Sequence, residues 1–565
     1  MARHPDDDAL VFDLVDDEGG PDALPGPFAE GAADAEGAEG GGEGDEAPGE
    51  AGADRPPGDP VPALGRGRWA LAAAGVLATV LGTGLAVDGL RDDARVEEIR
   101  DVRGGVVDVS APLDEVWAWS GEVGSRRAFV EGQGNQVAAL GPLLAFESDG
   151  ALLALRASTG EEEWSVPLGP DPDCGPTGFL GWSELETKVL VCLQGSGADR
   201  EVFTVGPGGA ASAPRTLDAG DERLYGYARP GPDGTVLRAR RTGPAPPGQD
   251  GAWCPDEGEC SGTVETGRDL RIRAEDAVTG EERWTAVIPF RAMAAEGCRA
   301  APALPWDRSD DIVRSGERLD PEGFGARIEA GLVQLWGCGF RAGVAAGGAV
   351  LGMDGVPGFA WVFGLDTGGY VAQTIAQRSD GTMDSTLYSP DGDVVTRVEG
   401  TLERPRTTDE PRAATLLAAD PFEGRLRSYA ADGSQRWDVP VPDATAQFLA
   451  QVGETLVTTT WAGEVRGMDL VTGAPRWSWR AQGGLYDWSY ESSYVSQAFT
   501  DGESLLLLLR SGSGDQGLVS LDAATGELVW DGTSSDLLTP RPETLLLTVD
   551  GNLLEVSPAG VRRLG

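Results

Sequence analysis

Histidine and lysine are almost missing from this chain. Its 565 residues contain one histidine, His4, close to the N-terminus, and one lysine, Lys188. The missing imidazoles exclude much chemistry. His-ligated zinc, Ser-His-Asp or Cys-His triads and C-x-x-C-H haem attachment all need a histidine in a folded region. Basic charge is scarce as well: Lys+Arg number 45 against 92 Asp+Glu, a net charge of −47. Such a surface repels nucleic acid and anionic headgroups, so no nucleic-acid partner is expected. There is no G-x-S-x-G nucleophile elbow and no phosphate loop. What remains is carboxylate, tyrosine or cofactor chemistry, or no chemistry at all.

Composition divides the chain into zones. Residues 1–65 hold 18 Asp/Glu against Arg3 and Arg55. Low hydrophobicity with high charge cannot offset the entropy of folding, so a disordered acidic tail is expected there. One apolar island interrupts it, Leu10, Val11, Phe12, Leu14 and Val15, bracketed by acids. Such a segment can fold onto a partner's groove, here a cytoplasmic protein, although a chance cluster in a tail has the same look. Residues 69–87, WALAAAGVLATVLGTGLAV, carry no charge. Their length matches the ~20 residues that cross a ~30 Å hydrocarbon core as a helix. Arg66 and Arg68 precede the stretch, whereas Arg91 and Arg95 are diluted by Asp88, Asp92 and Asp93. The positive-inside rule then predicts a single-pass anchor over 66–88 in a bacterial cell membrane, with the N-terminus cytoplasmic and the rest outside. A cleaved signal peptide is the alternative, but the charged region before the stretch is far too long for one. Ala74, Ala78, Gly82 and Ala86 share one helix face, a small-residue stripe of the kind that lets two helices approach. Residues 89–110 read as a charged stalk, and 111–565 as the folded domain.

The six cysteines, Cys174, Cys192, Cys254, Cys260, Cys298 and Cys338, all follow the apolar stretch. An even count on the predicted outer side points to disulfides in an oxidising compartment. Nearest-neighbour pairs, 174–192, 254–260 and 298–338, are favoured among the fifteen connectivities that six cysteines allow. Free buried thiols and a metal site are the alternatives, and no C-x-x-C spacing supports the latter.

A repeat organises the domain. ALLALRASTGEEEW (151–164), RIRAEDAVTGEERW (271–284), VRGMDLVTGAPRW (465–477) and LVSLDAATGELVW (518–530) share a frame. RLRSYAADGSQRW (425–437), WVFGLDTGGYVAQ (361–373) and DGNLLEVSPAG (550–560) are looser copies. The frame is an alternating strand, a polar turn ending in Gly, and a strand closing on Trp. Gly160, Gly280, Gly473 and Gly526 supply the positive φ of a tight hairpin turn. Trp164, Trp284, Trp437, Trp477 and Trp530 each present more apolar surface than one hairpin can bury, and repetition around a ring would bury it between neighbours.

AEDAVTGEERW (274–284) and LDAATGELVW (521–530) resemble the A-x-D-x-x-T-G-x-x-x-W repeat of the pyrroloquinoline-quinone (PQQ)-dehydrogenase-like β-propellers. The resemblance covers most of 112–565 and implies an all-β propeller whose motifs lie on outer strands. It bears weakly on function, because that family includes quinone enzymes, an outer-membrane assembly lipoprotein and kinase sensor domains. Five Trp-ended repeats, degenerate blades near 187–206 and 331–373, and a last blade at 545–560 add up to eight blades, with seven as the alternative. The last blade lacks a Trp strand, and DEVWAWSGEV (114–123), with Trp117 and Trp119, is expected to supply it and close the ring. Gly/Pro-rich segments near 207–268 and 299–328 read as inserted loops.

The resemblance implies a quinone in the central channel, beneath a disulfide between adjacent cysteines and beside calcium. This chain has no Cys-Cys pair, and SPDGDVV (389–395) and DPDC (171–174) read as solvated turns rather than calcium loops. Neither PQQ nor calcium is therefore expected, and no catalytic, cofactor or metal residue is assigned. The expectation is a membrane-anchored binding or scaffold module that meets an envelope protein or glycan. A PQQ-dependent dehydrogenase and a carbohydrate-binding or carbohydrate-processing propeller are the alternatives.

Overall fold

The computed structural model describes residues 95–565 apart from 101, 125–136, 177–186, 196–199, 218–227, 245–253, 255–259, 299–318, 320–321, 330, 354–359, 366–367, 376–382, 411–414, 421–423, 442–444, 461–462, 482–493, 511–515 and 533–543. The acidic tail with its apolar island and the 69–87 stretch lie outside these residues. Among the described residues no helix is long and apolar enough to cross a membrane.

The described chain folds into nine consecutive antiparallel blades. In chain order they occupy 137–167, 173–216, 228–288, 324–351, 360–399, 401–440, 445–479, 494–532 and 545–564, and are numbered 1 to 9 below. Each runs up and down from an inner to an outer strand. Blade 9 has only three strands of its own, and Glu115–Ser120 adds the fourth, with Trp117 opposite Arg563 and Trp119 opposite Val561. The N-terminal strand thus closes the ring, as DEVWAWSGEV led us to expect. Closure matters because an open ring would leave two strand edges ready to pair with other chains.

The core is divided into nine seams, each with its own buried apolar cluster. Val137, Leu144, Leu547 and Val556 fill the seam between blades 9 and 1. Leu237, Ile272, Val333 and Phe340 fill that between blades 3 and 4. Leu507, Leu509, Val457 and Val465 do the same between blades 7 and 8. The remaining seams follow suit. Several middle strands are apolar on both faces, as in Ser504–Arg510 with its five consecutive leucines, because each contacts a blade on either side.

The count of eight is corrected to nine. Sequence around 331–373 contains parts of two blades, 4 and 5, neither of which carries an outer-strand Trp. WVFGLDTGGYVAQ is not an outer hairpin there: Ala360–Gly364 and Tyr370–Ile375 are the two innermost strands of blade 5. The turn of its outer hairpin is SPDGDVV instead, where Asp391 and Gly392 separate Met383–Tyr388 from Val394–Glu399. The loop reading of 207–268 is corrected too. That segment holds Thr235–Thr242 (TVLRARRT), a middle strand of blade 3, whose arginines disguise a buried position.

The three disulfides join Cys174 to Cys192, Cys254 to Cys260 and Cys298 to Cys338, the pairs favoured from sequence. The first links facing residues of two neighbouring strands in blade 2. The other two belong to a small lobe beside blades 3 and 4, where Val264, Met293, Cys298 and Cys338 are buried together.

Candidate functional site

Each tryptophan motif is half of a socket whose other half lies in the next blade. The Asp of the motif makes the turn. Asp469 Oδ1 accepts from the amides of Val471 and Thr472 and from the Thr472 hydroxyl, while Oδ2 accepts from Arg476. Asp276 and Asp522 cap their turns in the same way. The Arg476 guanidinium and the Thr472 hydroxyl and amide hold the Asp469 carboxyl far below the usual carboxylate range. At Asp276 partial burial opposes ionisation, but Arg283 and the turn amides outweigh it and hold the carboxyl at about 2. One residue pair back from the turn the two strands slip register, for example between Gly467 and Met468 and between Ser520 and Leu521. Such a bulge sharpens the local twist.

The preceding blade's outer strand lays a side chain on the turn glycine. A Cβ at Gly160 would fall 2.6 Å from the Trp117 ring, at Gly473 2.8 Å from Trp437, and at Gly526 2.5 Å from Trp477. These glycines are needed both for space and for φ of 70–74°. The indole N–H then donates to a turn carbonyl: Trp117 to Ala157 O (3.1 Å), Trp437 to Leu470 O (2.9 Å) and Trp477 to Ala523 O (3.2 Å). Trp164 does the same to Pro207 O, over Gly209.

Three blades use the socket without filling it with tryptophan. Arg215 of blade 2 lies over Gly280, and its Nε donates to Ala277 O at 3.1 Å, as an indole would. Ala349 of blade 4 meets Gly392, and Thr396 of blade 5 meets Gly433. Trp284 of blade 3 lies over Gly348. These substitutions hid the middle blades from the repeat.

Arg215 also enters a polar layer between blades 2 and 3. Glu275, nearly inaccessible to solvent, takes Arg215 at 3.0 Å and Arg273 at 2.8 Å, with Arg238 Nε at 3.7 Å. Arg238 is only 1% exposed. A buried guanidinium is tolerated when a carboxylate shares its site, and removing that carboxylate is costly. Sequence reading missed this layer, although the alternating arginines of TVLRARRT and DLRIRAED were its signal.

The inner edges of the blades carry a second group of residues the sequence reading did not single out. The connection after Thr401–Glu403 runs along the inner strands rather than turning straight back. Arg404 donates to Gly364 O of blade 5 at 2.5 Å, and Arg406 donates to Ser496 O of blade 8. Thr407–Thr408 pairs parallel with the innermost strand of blade 7, as a fifth strand on its lumen side. Glu403 accepts from the Phe448 amide at 3.0 Å. Burial pushes its carboxyl up, against the pull of that amide and of Arg406. A strap formed by residues 102–113 lies on this inner bar. Thr407 Oγ1 donates to Arg103 O, and Val106 N to Thr500 O. The expected charged stalk is thus, from Arg95 onward, part of the propeller: Ile99, Val102, Val106, Val109 and Leu113 are buried.

Among the described residues no group of three or more His, Cys, Asp or Glu side chains is arranged to hold a metal ion. Leu10, Val11, Phe12, Leu14 and Val15 lie outside the described residues.

The strand order and the ring of sockets define a β-propeller protein. No family model matches the chain, and no curated protein matches it. Solved structures with distant likeness include Sqt1 from Saccharomyces cerevisiae, 8% identical, covering 80% of this chain and 99% of that one with a TM-score of 0.34. The quinohemoprotein alcohol dehydrogenase from Comamonas testosteroni is 11% identical over 80% of this chain and 76% of its own, TM-score 0.33. BamB from Moraxella catarrhalis is 14% identical over 80% and 97%, TM-score 0.23. The propeller assignment rests on this chain's own strand order, and such distant likeness assigns no activity.

Proposed function

We propose that this chain is a membrane-anchored, extracytoplasmic β-propeller of the PQQ-like repeat type, acting as a binding or scaffold module in the bacterial cell envelope. The observation that carries this reading is the use of the lumen. In the quinone enzymes the channel holds the cofactor; here the chain's own Thr407–Thr408 strand and the strap against it occupy the inner edge of blades 7 and 8. The cysteines are spent on three disulfides between residues at least six apart, so the adjacent-cysteine cover is missing as well. In this reading the chain holds neither PQQ nor calcium. A rigid ring instead presents loops at its two ends, a suitable platform for an envelope protein or a glycan.

All six cysteines are paired, which supports an oxidising compartment. The 69–87 stretch is the anchor in this reading. The apolar island at residues 10–15 then meets a cytoplasmic protein, so one chain links partners across the membrane. Crosslinking in intact membranes, followed by purification of the full chain, tests the platform. An envelope protein or glycan recovered with the wild-type chain, and rebinding the purified chain, is the expected result. Dye-linked turnover by the purified chain after addition of PQQ and calcium would overturn it in favour of the enzyme.

A further inference from the structure

The eighth socket differs from all the others. By the rule of the ring, Trp530 on the outer strand of blade 8 should dock on the outer-hairpin turn of blade 9. That turn does not exist as continuous chain, because its two sides are the C-terminus and the N-terminal strand. Asp114 N donates to Gly565 O and Gly565 N to Asp114 O, so two stretches remote in sequence meet where a turn would be. The acceptor is supplied instead from the strap: Trp530 Nε1 donates to Val109 O at 2.9 Å, and Ser520 Oγ donates to the same oxygen at 2.9 Å. Val109 N in turn donates to Asp501 Oδ2 at 3.1 Å.

The strap is also the apolar filling of this seam. Val106, Val109 and Leu113 are buried with Leu506, Leu508, Leu518, Leu546, Leu553 and Leu564 from blades 8 and 9. Backbone bonds bind it to both blades: Val106 N to Thr500 O, Thr500 N to Gly104 O, and Val107 N to Gly551 O. Its path needs glycine twice. Gly104 has φ +71°, and a Cβ there would fall 2.9 Å from Thr407 Oγ1. A Cβ at Gly105 would fall 1.9 Å from Ile99 O.

We propose that residues 102–113 are a latch: seated, they close the seam between blades 8 and 9, and withdrawn, they open the ring at that seam and nowhere else. Seven of the other eight seams are closed by sockets between blades consecutive in the chain, and the one between blades 9 and 1 by Trp117 of the closing strand over Gly160. This one alone takes its acceptor and part of its apolar filling from the strap, upstream of the closing strand. Whatever binds or pulls on the residues before Arg95 therefore acts on ring closure. The proposal stands on the seam's own geometry, independently of the membrane reading.

Hydrogen exchange with peptide resolution on the full-length chain tests it, with Gly105→Val to unseat the strap and Trp530→Phe to remove one donor while keeping an aromatic ring. Gly105→Val is expected to speed exchange about tenfold in 504–532 and 545–564, while blades 2 to 6 keep their protection. Trp530→Phe, the milder change, is expected to speed exchange about threefold at 528–532 and 109–113 only. Acceleration confined to 95–113 would make the strap a passenger and overturn the proposal. So would acceleration spread evenly over all blades in Trp530→Phe, or none in it, and this second variant decides the matter if Gly105→Val does not fold.

Discussion

Asp469 and Asp276 show how much one side chain does in this ring. Each carboxylate holds two turn amides and an arginine seven residues on, and so fixes the turn on which a side chain of the preceding blade lies, Trp437 at Asp469 and Arg215 at Asp276. Their carboxyls titrate below the ordinary value of about 4, so the sign of the linkage is determined. The folded state binds fewer protons than the unfolded chain, and this stabilisation is complete above the ordinary carboxylate range. It is lost as pH falls from about 4 through about 2, the value at Asp276. Urea midpoints should therefore hold steady from neutral pH to about 5 and fall below that. The Asp276→Asn/Asp469→Asn double variant should lose part of that dependence, and a wild-type-like acid slope in it would refute the turn-cap account. The other half of the socket has its own test. Trp437 is 8% exposed, with its indole bonded to Leu470 O. Trp437→Ala should lower stability by about 3–5 kcal/mol, as for other large aromatics removed from a core, read as a shifted denaturant midpoint. A loss below about 1 kcal/mol would mean that neighbouring blades collapse into the space.

At the scale of elements, legibility followed side-chain type. The Thr-Gly turn and the closing Trp are rare enough together to be seen by eye, so the blades that carry both were found. The closing strand at Trp117 was legible for the same reason. Blades 4 and 5 read as one in sequence because Ala349 and Thr396 do in their sockets, with small side chains, what a Trp does elsewhere. The middle strand Thr235–Thr242 has the look of a loop in sequence because Arg238 and Arg241, charged residues, are the ones buried there. Arg238 lies near Glu275, and Arg241 donates to the carbonyls of Arg268, Gly323 and Cys338. Such pairing depends on partners up to ~100 residues away in sequence, which no local pattern reveals. Residues 89–110 read as a stalk because their acids and arginines outnumber their Val and Ile. Disulfides belong to this scale too. Cys298–Cys338 closes 40 residues across the lobe beside blades 3 and 4. Replacing both cysteines by alanine should cost about 2–4 kcal/mol on the loop-closure argument, with increased proteolysis between them. An unchanged thermal midpoint would show that Met293, Val264 and Phe290 hold the lobe unaided.

For the whole molecule, the ring is a cooperative object built from nine weakly individual parts. Each blade buries its two faces only against its neighbours, and only the seam between blades 8 and 9 depends on the strap. At blades 7 and 8 the lumen edge of this frame is taken up by the chain's own backbone. The central claim is that this platform stands outside the cytoplasm on a single anchor. The composition provides an unusually direct test, because the chain's one lysine, Lys188, is in the propeller and exposed. A membrane-impermeant amine reagent applied to intact spheroplasts should modify Lys188, identified by mass, and Lys188→Arg should abolish that modification. Modification of Lys188 only after lysis would place the propeller inside and contradict the account.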